Sequence, residues 1–437
     1  MTNVVVIGAG ITGISVAVGL RNQGANVLLV ERDKESRERF RGEYLQPYAV
    51  KGLHELGLGS IFATTSSVQV EELNFRDLAS SEVDGRPEIL SEIVISYPKG
   101  SKAQVIPNRE LVDELRKLAR KKLGDQFQEG ATLAPLNADS DDFYEKPRLL
   151  LTRADGTTET LSPDYIVGCD GRQSTVREWI KGPKAAPNGP PMLGAKPEFI
   201  VGCELKRSTS TPERYEVVRT HGNGTLSLFQ LKSDRQRVYW NAPLEKGVSK
   251  AKWQSSLEKN LGAIREYIEL DTIEIENVAG APANTLWMGP AARGRFFLAG
   301  DALAVTTPLG GQGMTCSRHH VDSILELLDH RARTRGELEL MGKRYEQITK
   351  KWYFHVNLLN LGLYYLFFAN KPAFKISSKH ILGVWNAHPE MKDRIGRLFG
   401  GDDLDTPGLL EILRLWGLTG PLGEKIRQLK LLKGYSI

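Results

Sequence analysis

Cysteine is scarce. The 437 residues hold three, Cys169, Cys203 and Cys316, far apart and without CxxC or Cys/His spacing. That excludes a disulfide scaffold and a zinc cluster, and it fits a reduced, cytoplasmic compartment. The histidines form no HxH or HxxxH pair, so no metal site is expected. His319 and His320 are adjacent within a helical stretch and so face different ways, which favours a structural role. No Gly-x-Ser-x-Gly elbow exists, which removes covalent hydrolysis. The most apolar run, 361–369, is about half the roughly 20 residues needed to span a bilayer. It reads as a core helix, with a peripheral membrane contact as the alternative. Lys and Arg exceed Asp and Glu by 58 to 53, and the surplus is spread along the chain, which argues against a nucleic-acid partner. The N-terminus lacks a basic region and a cleavage site, so no signal peptide is expected.

What is present is an ordinary globular composition, 41% hydrophobic and 25% charged with 43 glycines, long enough for two cores. Residues 3–31 read as strand, glycine turn, helix and second strand, a βαβ unit. Short alternating runs follow from 67 to 107, then a helix over 109–122 with Leu111, Leu115 and Leu118 on one face. A hairpin is predicted from 149 to 161 around Ala154-Asp155-Gly156, followed by a buried strand at 165–168. The Pro/Gly-rich stretch 182–195 marks a crossing loop. Strand-like runs dominate 197–243, a polar helix spans about 250–266, and the chain beyond Asp329 is mostly helical.

Gly8-x-Gly10-x-x-Gly13 lies directly after the first strand and opens the helix, with Ile11 and Thr12 in its first turn. Glycines allow a tight turn and close approach of a pyrophosphate, whose charge the helix N-terminus stabilises. Glu31, with Arg32 beside it, ends the next strand and can accept hydrogen bonds from a ribose. This motif alone does not separate NAD from FAD. Two more follow in order: Asp170-Gly171-x-x-Ser174-x-x-Arg177, then Gly300-Asp301 with Pro308, Gly310, Gly311, Gln312, Gly313 and Met314.

Together the three motifs resemble the signature of group A flavoprotein monooxygenases, the para-hydroxybenzoate hydroxylase-like family, over about the first 330 residues. The resemblance implies an α/β protein. It would have a glutathione-reductase-like FAD-binding Rossmann domain from 1–67, 108–182 and 285–330, and an inserted, mostly antiparallel substrate domain from 68–107 and 183–284. A helical region, 331–437, would close the chain. It implies one FAD, with NADPH or NADH as a transient reductant, O2, and oxygen transfer through a flavin C4a-hydroperoxide. By the same resemblance Asp301 would meet the ribityl chain, Asp170 would lie by FAD and the nicotinamide, and Arg109 would reach the flavin's polar tail.

Physically, the helix that starts at the Gly310–Met314 turn would point N–H groups at the reduced flavin's anionic edge, worth roughly 0.3–2 kcal/mol. Pro308, Leu309 and Gly310 would floor the ring, and Gly311, Gly313 and Met314 would complete the turn. Thr315 stands where many relatives have asparagine. Arg41-Gly42-Glu43-Tyr44-Leu45-Gln46-Pro47 resembles the squalene epoxidase-like and aromatic-polyketide branches, with Arg41 facing the cofactor. Glu43 and Gln46 could equally sit on a surface loop. Phe229 and Tyr239, with Leu309 and Gly310, are the substrate-binding candidates, and only alternate strand residues can face the pocket.

The expected substrate is a lipophilic small molecule, with epoxidation and aromatic hydroxylation both open and no general base identified. A secondary-metabolic role is the analogy of the family. A polyprenyl reductase or halogenase on the same fold, or a non-catalytic flavin protein, are the alternatives. The halogenase W-x-W-x-I-P run is absent.

Overall fold

The computed structural model describes residues 1–36, 43–79, 88–181, 198–206, 214–220, 224–232, 234–242, 249–268, 273–283, 286–329, 334–363, 382–383 and 385–401. Arg41, the loop 182–195 and residues 364–369 of the apolar run lie outside them.

The strand Asn3–Ile7 sits inside a six-stranded sheet. Tyr165–Gly168 and Asn26–Glu31 flank it in parallel, with Val5 opposite Ile166 and Leu28. Phe296–Leu298 and Phe127–Glu129 extend the sheet on either side, and Ala292–Arg293 closes one edge antiparallel. Its central strands are nearly continuous runs of buried Val, Ile and Leu, the pattern of a sheet covered on both faces. The predicted hairpin forms, Leu149–Thr152 against Thr158–Leu161. The predicted helix runs Asn108–Leu123 and buries Leu111, Leu115 and Ala119.

A second sheet has seven strands in the order Glu274–Ala283, Glu198–Lys206, Arg235–Ala242, Gly224–Lys232, Arg214–Thr220, Glu72–Leu78 and Ile89–Ser96. All neighbours are antiparallel except Arg214–Thr220 and Glu72–Leu78. The stretch 68–107 does not enter this sheet as a unit. Its ends form a small sheet of their own: Ala103–Val105 lies antiparallel between Val68–Val70 and Tyr44–Leu45. The strand period of two divides the sheet's residues. Val218, Leu226, Leu228, Val238 and Trp240 face the helix Lys250–Ile264 and form a separate core with its Leu257, Leu261 and Ile264. Phe75, Val217, Phe229 and Tyr239 belong to the other face, which packs with the main core.

The helices Arg335–Leu363 and Pro389–Gly400 complete the described chain. Tyr345 of the first donates its hydroxyl to the Leu298 carbonyl at 2.7 Å, anchoring that helix at the end of the strand Phe296–Leu298. Among the described residues no helix is long and apolar enough to cross a membrane. The side chains of 361–369, on which the alternative of a peripheral membrane contact rests, lie outside the described residues.

Candidate cofactor and active site

At the first motif Gly10 caps the helix Ile11–Asn22, whose opening N–H groups have no partner within the helix. A Cβ on Gly13 would stand 1.8 Å from the Gly8 carbonyl oxygen, so only glycine lets helix and turn meet this closely. Open space surrounds Gly10, the room a phosphate would need. Glu31 turns its carboxylate back onto this turn: it accepts from the Ala9 N–H at 2.7 Å and the Asp33 N–H at 2.9 Å. Arg116 pairs with it at 3.3 Å. The same guanidinium donates to the carbonyls of Ala9 at 3.3 Å and Asp33 at 3.0 Å.

Arg116 was not anticipated as a site residue. The signal was there: it falls between Leu115 and Ala119 on the buried side of a helix, where a cation needs a partner. Arg32 and Arg109, both expected at the cofactor, have largely exposed side chains; Arg32 lies 3.6 Å from Asp33, and Arg109 pairs with Asp113 one turn on.

The second motif works through its own hydrogen bonds. Asp170 accepts from the N–H groups of Thr175 at 2.7 Å and Val176 at 3.2 Å, capping the helix Thr175–Lys181. Its other oxygen is buried without a hydrogen-bond partner in the described protein. Burial pushes the carboxyl above the ordinary aspartate range. Arg177 donates to the carbonyls of Ala302 at 2.9 Å and Arg172 at 2.6 Å.

The third motif closes on the other two. A Cβ on Gly300 would stand 2.7 Å from the Thr12 hydroxyl. Asp301 accepts from Arg172 at 3.3 Å, joining the second and third motifs. The Gly300 N–H donates to Nδ1 of His320 at 3.1 Å. His319 stacks on Trp352 with ring centres 3.6 Å apart. Burial lowers both histidines to about 3, so they stay neutral and structural. Pro308–Gly310 makes one tight turn, Gly311 takes the left-handed conformation at φ +63°, and Gly313–Leu328 begins directly after Gln312. The side chain of Leu309 is outside the described atoms; Met314 is half-buried.

This turn is gripped from the neighbouring segment. Gln46 donates Nε2 to the Gly310 carbonyl at 2.9 Å, and Tyr97 donates to Gln46 Oε1 at 2.6 Å, which fixes the amide's orientation. The hydroxyls of Tyr44 and Tyr97 are 2.9 Å apart. Tyr44 packs edge-on against Tyr215 and Phe229 of the second sheet. Glu43 accepts both Nε and Nη2 of Arg237, at 2.8 and 2.6 Å, and the Tyr239 hydroxyl at 3.0 Å. Glu43 and Gln46 are therefore buried and not surface-loop residues. Burial raises the Glu43 carboxyl despite the opposing pull of Arg237.

Of the two predicted substrate-facing aromatics, Phe229 is fully buried and stacked on Tyr215, and Tyr239 lies on the same face with its hydroxyl committed to Glu43. Among the described residues no cluster of three His, Cys, Asp or Glu side chains could hold a metal. The convergence of the three motifs, the space at Gly10 and the unpartnered Asp170 oxygen fit a dinucleotide cofactor.

Residues 1–347 match the FAD binding domain family. The chain belongs to this family. The group A flavoprotein resemblance carried by the three motifs thus holds at family level. The FAD-binding chain is 27% identical to the rifampicin monooxygenase of Streptomyces venezuelae over 322 residues, 72% of this chain and 61% of that protein. It is 23% identical to the squalene monooxygenase of Rattus norvegicus over 387 residues, 85% and 63% of the two. A menaquinone reductase of Mycobacterium tuberculosis is 27% identical over 366 residues, 78% of this chain and 80% of that one. The chain thus spans less than two thirds of the length of the two monooxygenases. The solved structure of p-nitrophenol 4-monooxygenase from Pseudomonas putida DLL-E4 shares the fold, with a TM-score of 0.72 at 17% identity over 93% of this chain and 100% of that one.

Proposed function

We propose that this chain is an FAD-dependent monooxygenase that consumes NADPH or NADH and O2 and adds one oxygen atom to a lipophilic substrate. The observation that carries the reading is the meeting of three motifs at one place, with the third tied through Gln46 to the segment that packs on the second sheet. When bound, FAD supplies the redox and oxygen chemistry. Gly8, Gly10, Ile11, Thr12 and Gly13 would bind its diphosphate, Glu31 its ribose, and Asp170 and Asp301 its middle portion. Pro308, Leu309, Gly310, Gly311, Gly313 and Met314 would hold its ring. The helix beginning at Gly313 would stabilise negative charge on the bound group near its N-terminus. The protein's remaining tasks are to orient the acceptor atom and exclude water.

Among the described residues near the turn, Tyr44, Tyr97 and Tyr239 are all raised above the ordinary phenol range by burial and stay protonated. They can donate hydrogen bonds but cannot take a proton from a phenol near neutral pH. Glu43 is committed to Arg237. This favours an alkene, whose epoxidation needs no base, over a phenol. A place in secondary metabolism and a cytoplasmic location remain part of the proposal by analogy.

A second reading, reduction of a polyprenyl quinone, is favoured by the likeness to the menaquinone reductase. The test is to incubate FAD-loaded protein with NAD(P)H and a panel of prenylated and aromatic compounds, recording oxygen uptake and product mass. Gain of one oxygen with substrate-dependent uptake supports the monooxygenase. Gain of two hydrogens, undiminished without oxygen, supports the reductase and overturns the monooxygenase reading.

A further inference from the structure

The helix Pro389–Gly400 lies beyond residues 1–347, yet it meets the flavin turn and the second sheet together. Gln312 is wholly buried and donates Nε2 to the Phe399 carbonyl at 2.9 Å. The Phe399 ring centre is 5.8 Å from that of Phe75 on the sheet. A Cβ on Gly396 would stand 2.3 Å from the Ser96 carbonyl oxygen, so the helix backbone rests directly on the edge strand Ile89–Ser96. Asn386, just before the helix, donates to the Glu92 carbonyl of the same strand at 2.8 Å. Past its end, a Cβ on Gly401 would stand 2.9 Å from Thr315 Cγ2 and 2.8 Å from Tyr48 Cβ.

Gln312 is the residue immediately before the helix whose opening N–H groups are left for a ligand. Its backbone can wander only as far as its anchored side chain permits. With Gly310 held by Gln46 on one side and Gln312 by Phe399 on the other, the turn is fixed from two directions.

We propose that the helix Pro389–Gly400 is a clasp that holds the flavin turn against the substrate sheet, with Gln312 as its positioning residue. The proposal rests on the FAD-dependent reading and deepens it, since it assigns part of the site to a segment outside the family match. Loosening the clasp frees the turn and admits water at the seam, diverting reducing equivalents to hydrogen peroxide.

The test uses full-length, FAD-loaded protein, comparing wild type with Gln312→Leu, which removes one hydrogen bond at similar volume, and Gly396→Val, which drives the helix off Ser96. Hydrogen exchange over 311–316, the reduction potential of the bound flavin and the peroxide formed per NAD(P)H are measured. In both variants exchange over 311–316 should quicken by about tenfold, the size expected for one lost buried hydrogen bond, with a shifted potential and more peroxide. Should Gly396→Val not fold, Gln312→Leu alone decides. Wild-type exchange and potential in Gln312→Leu would overturn the clasp. Faster exchange in a protein that never oxygenates any substrate supports the clasp and sinks the monooxygenase reading instead.

Discussion

Gln46 donates its side-chain amide to the carbonyl of Gly310, 264 residues away, at 2.9 Å. That single bond ties the segment packed on the second sheet to the turn at the start of the helix Gly313–Leu328. Because Tyr97 holds the other end of the amide, the group cannot flip without losing both bonds.

Replacing Gln46 by leucine leaves a buried carbonyl and the Tyr97 hydroxyl without this partner, a cost of about 1–3 kcal/mol. FAD should dissociate from the variant about tenfold more readily, measured by equilibrium dialysis. Unchanged FAD affinity would show that the Gly310 carbonyl does not shape the cofactor site.

Arg116→Met leaves Glu31 without its cation beside the glycine turn, and breaking a largely buried pair from one side costs about 3 kcal/mol or more. Urea denaturation should show this loss. The double variant Glu31→Gln/Arg116→Met should recover part of it, because the unpaired charge is then gone; additive losses would refute the pairing.

Tyr239 and Trp240 are neighbours in sequence on opposite faces of one sheet. Trp240→Ala opens a hole in the core under the helix Lys250–Ile264 and should cost about 3–5 kcal/mol of stability. It should leave the Michaelis constant for substrate nearly unchanged. Tyr239→Phe, which loses only the hydroxyl on Glu43, should alter that constant with a smaller loss of stability. Steady-state kinetics beside thermal melts would reveal a reversal of the two.

His320 and His319 are held to about 3 by burial, below the value they take unfolded. Between there and roughly 6.5 the unfolded chain binds more protons than the native one. Their contribution to stability is therefore complete above that upper value and is lost as the pH falls toward 3, by up to about 1.4 kcal/mol per pH unit for each. The melting temperature should fall on acidification, and His320→Gln should flatten the slope. The same slope in both proteins would count against a neutral, buried His320.

The βαβ unit, the hairpin and the helix Asn108–Leu123 were legible because each depends on local rules: glycine where backbones touch, alternating polarity in strands, a repeat of three or four in helices. The three motifs were legible for the same reason. Glu43 and Gln46 were not, since a glutamate and a glutamine in a loop carry no mark of burial. Their partners Arg237, Tyr97 and Gly310 lie 194, 51 and 264 residues away. The two ends of the 68–107 stretch also escaped, because a three-residue strand pairs with whichever edge the fold brings near.

By itself the sequence determined that a tight glycine turn opens a helix at Gly8–Gly13 and that two later acid-and-glycine turns accompany it, because backbone sterics and helix-end charge are properties of a few consecutive residues. Only the tertiary structure decided that Arg116 guards the first turn, that Gln46 and Gln312 hold the third, and that the last described helix reaches the same place. Those choices depend on which polar groups are buried together. A buried donor must find its acceptor wherever the chain has folded, at any distance along it.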